Sequence, residues 1–261
     1  MTTFRVTIPP TAEPVSVTEA EAHSRIDTTD TYSANRIAAA RGWLEDLVWR
    51  ALVLRTIEER YDGFPAVIRP QRSPLRAVAS IQYLDGANAL QTLASSEYIV
   101  DAYSEPGRIQ PACGEVWPST YSEINAVRVT YRAGHVVPFT AVAATDVVTA
   151  VGHWYADGDP VPIWNTGGAV PAGLSAGTYY ARDVSGDTLK LAATSGGAAV
   201  DIEGTGTGTH FLGELPPNLR WALLLVFGEL YERREQAIVG ASSEPAVLAA
   251  ENLALPWKVH Y

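Results

Sequence analysis

The chain has 261 residues, 47% apolar and 18% charged, which is ordinary for a folded protein and excludes intrinsic disorder. Its net charge of −10 argues against wrapping DNA, because phosphate affinity needs clustered Lys and Arg. Cys113 is the only cysteine, so no intrachain disulfide forms, and no apolar run reaches the roughly 18–20 residues of a membrane span. The opening MTTFRVTIPP lacks the charged and apolar regions of a signal peptide. The expectation is a soluble protein made in a reducing cytoplasm.

Residues 1–13 are polar, carry Pro9-Pro10, and read as an extended arm. Ser16-Val17-Thr18-Glu19 has the spacing of a capping box, opening a short helix that ends near Ile26-Asp27. A second helix, capped by Asp30, is expected to run to about Arg50. Its buried stripe would be Ile37, Ala40, Leu44, Leu47, Val48 and Ala51, with Arg36, Arg41, Glu45 and Asp46 on a solvated face.

From Val53 the period shortens to that of strands: Leu54–Tyr61, Val67-Ile68, Ser80–Leu84 turning at Asp85-Gly86, and a short return at Leu90–Leu93. Tyr98–Val100 and Arg108–Gln110 flank Glu105-Pro106-Gly107, a hairpin in which the glycine is free to take positive φ. Asn125–Tyr131 alternates apolar Val127, Val129 and Tyr131 with Arg128 and Thr130, as a half-buried strand does.

Residues 138–213 differ in composition, with Arg182 and Lys190 as the only basic residues and no helical period. Strands are expected at 146–151, 159–163, 178–183, 187–192 and 210–212, with a tight turn at Ser185-Gly186. This reads as an inserted all-β domain. Pro216-Pro217 then opens a long helix whose apolar face is Leu219, Ala222, Leu223, Val226, Phe227, Leu230 and Tyr231. That helix is expected to pack on the second one, to carry Glu232–Glu235 near its end and to stop near Gly240. A last short helix starts at Ser243-Glu244-Pro245 and leads to Leu255–Tyr261.

No catalytic or metal-binding constellation assembles from these residues. The five histidines, His23, His135, His153, His210 and His260, share no ligand spacing. Asp157-Gly158-Asp159 lacks the distal acidic ligands of a calcium loop and reads as a turn. Glu58/Glu59 and Asp101/Glu105 read as exposed strand and turn carboxylates, and Gly204–Gly208 lacks the lysine of a phosphate loop.

The stretch Tyr98-Ile99-Val100-Asp101, Ser104–Ile109, Pro111, Gly114, Trp117-Pro118 and Asn125–Gly134 resembles the head–tail connector (adaptor) proteins of long-tailed double-stranded DNA phages and gene transfer agents. The resemblance covers residues 14–135 and resumes at 214–261. Residues 158–191 are similar to small β modules of phage structural proteins. The resemblance implies an α+β protein: an adaptor core at 1–137 and 214–261, with helices around a small antiparallel unit, interrupted by an all-β domain at 138–213. It implies a non-enzymatic virion protein of the neck, assembled in the host cytoplasm. Such a protein forms a ring of about twelve under the portal, meets a stopper or tail-side neck protein, and lets DNA pass without sequence-specific binding. Leu255, Pro256, Trp257, Lys258 and Tyr261 are then the expected portal contact, an aromatic anchor beside a cation. A stopper one ring further down is the nearest rival. A binding module is another, with Trp154, Tyr155, Trp164, Tyr179 and Tyr180 of the β domain stacking on carbohydrate or capsid. No cofactor is implied.

Overall fold

A computed structural model describes residues 3–26, 30–232 and 246–261 of an α+β chain. Two compact units divide it: Met1–Pro10 with Trp49–Gly134 and Val259–Tyr261, and Thr11–Val48 with His135–Lys258.

The first unit holds strands β1 (Thr3–Ile8), β2 (Arg55–Tyr61), β3 (Leu75–Leu84), β4 (Leu90–Thr92), β5 (Tyr98–Asp101), β6 (Arg108–Pro111) and β7 (Val127–Ala133). Five of them form an antiparallel sheet in the order β1-β2-β7-β3-β4, and β5 pairs with β6 in a separate hairpin. The N-terminal residues are therefore not an arm. β1 is an edge strand on β2, and Phe4 and Val6 pack against the core. That core is Ile57, Ile68, Leu75, Ile81, Ile109, Val127, Val129, Tyr131 and Ala133, with β7 contributing every second residue. β3 starts five residues before the expected Ser80. Irregularities between Leu75 and Ala77 and between Val78 and Ser80 break its alternation, which hides the strand from a period-2 reading. Val67-Ile68 is no strand but a single bridge from Ile68 to Ile109.

The second unit begins with α1 (Val17–His23) and α2 (Ser33–Val48). It continues with β8 (Val136–Val142), β9 (Val147–Thr149), β10 (Pro160–Thr166), β11 (Gly177–Ser185), β12 (Thr188–Ala192) and β13 (Thr209–Gly213), and then α3 (Pro217–Glu232) and α4 (Ala246–Ala254). The six strands close a barrel in the order β10-β11-β12-β9-β8-β13. β8 is absent from the sequence reading because Pro138 sits inside its apolar run and demotes it. Val137, Phe139, Val148, Val161, Ile163, Ala181, Leu189, Leu191 and Leu212 fill the interior. Closure leaves no free edge in a chain segment that would otherwise offer several.

The helices pack on the outer wall of this barrel through Trp164 and Thr166. The Ser16 hydroxyl caps α1 by accepting from Glu19 N at 3.1 Å, but Glu19 does not reach back to complete the box. Ser16 N instead donates to Thr166 Oγ1 at 2.9 Å. Glu19 Oε2 accepts from the Thr166 hydroxyl at 2.8 Å and from Arg220 of α3 at 2.6 Å. A side chain 150 positions away thus takes the Ser16 N–H that Glu19 would bind in a capping box. α3 buries Leu219, Ala222, Leu223, Val226 and Phe227 and packs on α2 and α4.

α2 begins at Ser33 and stops at Val48, before the expected Arg50, where Trp49 takes positive φ. Asp30 lies ahead of it, accepting from Tyr32 N and pairing with Arg36 at 2.5 Å. Arg41 and Glu45 do not lie on a solvated face. Glu45 is 2% exposed, and Arg41 bridges it to Glu13 at 2.9 and 2.6 Å. Burial is tolerated there because each charge meets its opposite. The expected end of α3 beyond Glu232 and the start of α4 at 243–245 lie outside the described residues.

Candidate interaction surfaces

The Tyr98–Gly134 stretch turns out to be a set of internal clamps. Asp101 accepts from the Ser104 hydroxyl at 2.7 Å, Arg108 at 2.6 Å and the Tyr103 and Ser104 amides, which holds its carboxyl well below the usual range. Glu105 pairs with the buried Arg50 in a two-pronged contact. Gly107 does not use positive φ. A Cβ there would stand 2.7 Å from the Leu75 side chain, so the residue is needed for close approach. Gly134 is similar, with the Leu54 Cα 2.4 Å from where a Cβ would be. Ile109 is fully buried, and Trp117 stacks on Phe64 and donates to the Ala66 carbonyl.

Glu59 is not exposed, contrary to the strand-surface reading. It shares the inward face with Ile57 and Tyr61 and accepts from Tyr131 OH at 2.5 Å, Tyr61 OH at 2.6 Å and Gln71 N at 2.7 Å. Burial raises its pKa against the pull of these donors and of nearby Arg72, and burial beside Glu59 raises both tyrosines. Every one of these donors aims at one fully buried carboxyl, so the cluster is a buried tie between strands. Glu58, its neighbour, is on the opposite face and pairs with Arg60. Among the described residues no three His, Cys, Asp or Glu side chains converge on a metal position.

What these clamps present outward is apolar. Ile99, Val100, Tyr103, Val116, Tyr121 and Ile124 are exposed along and after the hairpin, Tyr103 at 98% and Val116 at 83%. Ile99 and Val100 are adjacent in β5, so both faces of a two-stranded ribbon carry exposed apolar groups. This group was not singled out in the sequence. The signal was present as apolar residues at unpatterned loop positions, which periodicity does not score.

The expected portal-contact residues fall in both units. In the second, Leu255 and Pro256 are exposed, Lys258 is half-buried, and Trp257 meets the His135 ring edge-on at 6.5 Å. In the first, Tyr261 stands edge-on to Trp49 at 5.7 Å and donates to the Pro70 carbonyl at 3.0 Å. The tail is thus partly built into the fold.

The barrel aromatics do not form one platform. Trp164 faces outward, stacks on Phe211 at 4.7 Å, carries the Arg220 guanidinium at 5.1 Å and donates to the Gly213 carbonyl. Trp154 packs on Tyr155, which is buried. Tyr179 pairs with inward Val161 and accepts from Ser175 N, while the adjacent Tyr180 points to the opposite side of β11.

No family model matches the chain. No curated protein matches it. Solved structures do share its fold. A chain of the virion of a native gene transfer agent (GTA) particle aligns at 14% identity and a TM-score of 0.56, over 99% of this chain and 96% of that one. A chain of the neck of a native GTA particle computed with C12 symmetry aligns at 16% and 0.55, and one of the neck of an empty particle computed with C6 symmetry at 15% and 0.54. Each covers 100% of this chain and 96% of its own. The fold is one found in chains of GTA particles.

Proposed function

We propose that this chain is a structural, non-enzymatic protein of the head–tail neck of a phage-like particle. In this reading it is an adaptor that assembles as a ring of about twelve copies beneath the portal. The ring extends the DNA channel and receives the stopper or tail-side neck protein. The observation that carries this reading is the end-to-end fold likeness, over 96% or more of both chains, to chains of GTA particles and their necks. Its ring size follows the C12 symmetry of one of those necks. The exposed apolar groups on and after the hairpin support it as well, since large apolar side chains gathered at a surface favour contact with other proteins. The β segment 138–213, which the barrel extends back to Val136, would then be an insertion in a core of 1–137 and 214–261. Supporting this, Val136 and Gly213 are register partners, so the chain enters and leaves the barrel at neighbouring points.

The test is native mass spectrometry of the full chain with the purified portal ring of its own particle. A complete ring of copies should be taken up. The double variant Leu255→Asp/Lys258→Glu, which spares the docked Tyr261, should lose that uptake if the tail is the portal contact. No uptake of the unaltered chain by the portal overturns the adaptor reading. Uptake only by a portal that already carries another ring would move the chain to the stopper position.

A further inference from the structure

The outward face of the five-stranded sheet is basic in an acidic protein. Reading across the register, Arg60, Arg128, Gln82 and Thr92 form one row. Arg5, Glu58, Thr130 and Ser80 form the next, and Thr56, Arg132 and Ala77 a third. Four arginines thus share the face with a single carboxylate; Ile8 and the Leu84–Leu90 pair lie at its margins, and the positions between are Thr, Ser, Gln and Ala. Arg60 and Arg128 are direct cross-strand partners, a like-charge pair that disfavours the sheet on its own. Glu58 relieves part of this, 2.8 Å from Arg60 and 3.8 Å from Arg128. Arg5 is its register partner on β1, and Arg132 lies in the next row. The Nε atoms of Arg128 and Arg132 are buried with no hydrogen-bond partner among the described residues.

The charge is divided unevenly along the chain. The first unit carries ten basic and nine acidic residues, a net of +1, whereas the second carries nine basic and twenty acidic, a net of −11. We infer that the arginine face of one copy docks on the acidic second unit of the next copy, an inference that rests on the ring reading above. Each copy brings one basic face and one acidic unit, so the contact is heterologous and repeats from copy to copy, as a ring requires. Nucleic acid fits the face less well. A duplex would approach a molecule of net charge −10, and neither of the two lysines lies in this unit. The arginines are also half-buried in the sheet surface, with Arg128 34% exposed and Arg60 39%.

The experiment is sedimentation velocity of the full chain, alone and mixed with Arg128→Glu/Arg132→Glu, at salt concentrations of about 50 and about 500 mM. If the chain associates only on the portal ring, the same comparison is made there. The unaltered chain should self-associate, about tenfold more weakly at the higher salt, and the variant alone should stay monomeric. A mixture should yield heterodimers, because the variant keeps its acidic unit and can still dock on an unaltered arginine face. Thermal unfolding of Arg128→Gln/Arg132→Gln controls for folding, and this neutral variant should show intermediate association. Association by the Glu variant equal to that of the unaltered chain overturns the inference and leaves the ring reading standing. So does a variant that is monomeric alone and also in the mixture while fully folded. Loss of duplex DNA binding with unchanged self-association reassigns the face to a polyanion and overturns it too. Absence of any association, with or without the portal, removes the ring reading itself.

Discussion

Glu59 shows how a single residue ties the first unit together, because one carboxyl absorbs two phenol hydroxyls and an amide from three separate segments. Glu59→Leu should cost about 3 kcal/mol in denaturant unfolding, since it leaves three buried donors unpaired. Glu59→Gln should cost much less. Its pKa is raised by burial, so above the ordinary carboxylate value of 4.5 the unfolded chain releases the proton first. The native state then binds more protons, and stability should fall as pH rises from 4.5 to the raised folded value. Glu59→Gln should remove that slope in unfolding midpoints measured across pH. Inside the barrel His210 runs the other way. Burial lowers its pKa, with the Thr205 carbonyl accepting from Nε2 as a smaller opposing influence, and Nδ1 faces the Asn165 amide. Barrel stability should therefore be complete above the ordinary histidine value of 6.5 and decline as pH falls below it, a loss that His210→Asn would abolish. The glycines divide by environment. Gly134→Ala forces a Cβ into the Leu54 backbone and should destabilise by about 3 kcal/mol. Gly42→Ala, in α2 with nothing within 4 Å, should stabilise by about 0.5–1 kcal/mol.

At the scale of elements, the second unit depends on how α1 and α3 are fastened to the barrel wall. Thr166 supplies the hydroxyl that serves Ser16 N and Glu19 together. Thr166→Val keeps the shape and removes those bonds, so it should lower unfolding stability by about 1–2 kcal/mol in a thermal or denaturant melt. The same change should leave the first unit's Glu59-dependent pH slope untouched. The capping pattern at Ser16–Glu19 was legible because a cap is local. Its replacement by Thr166 was not, because nothing in a four-residue spacing reports a strand 150 positions further on. The same limit explains Arg41, whose helical position suggested solvent while Glu13, outside the helix, closed over it.

For the whole molecule, the run of small motifs from Tyr98 to Gly134 reads as mechanical design. Asp101, Glu105, Gly107, Ile109, Trp117, Tyr131 and Gly134 each fasten the hairpin and sheet internally. The surfaces that the proposed assembly would use lie elsewhere, on the exposed hairpin residues and the arginine face. Replacing Tyr103 and Val116 with Asp should leave unfolding stability within about 0.5 kcal/mol, since both are almost wholly exposed. Uptake by the portal ring, measured by native mass spectrometry, should nevertheless fall if the hairpin takes part in neck contacts.

Local pattern alone determined the mixed helix-and-strand composition, most strand positions, the apolar stripes of α2 and α3, and the β character of residues 138–213, because these depend on periods of 2 and 3.6. The burial of Glu59, read from the sequence as an exposed strand carboxylate, was not among them. Tertiary structure alone decided that the N-terminus is a strand, that the β segment closes as a six-stranded barrel, and that helices dock on its outer wall. It also decided that four arginines from three strands share one sheet face. Each of these rests on pairing between residues tens to hundreds of positions apart, and periodicity within a segment carries no information about its partner.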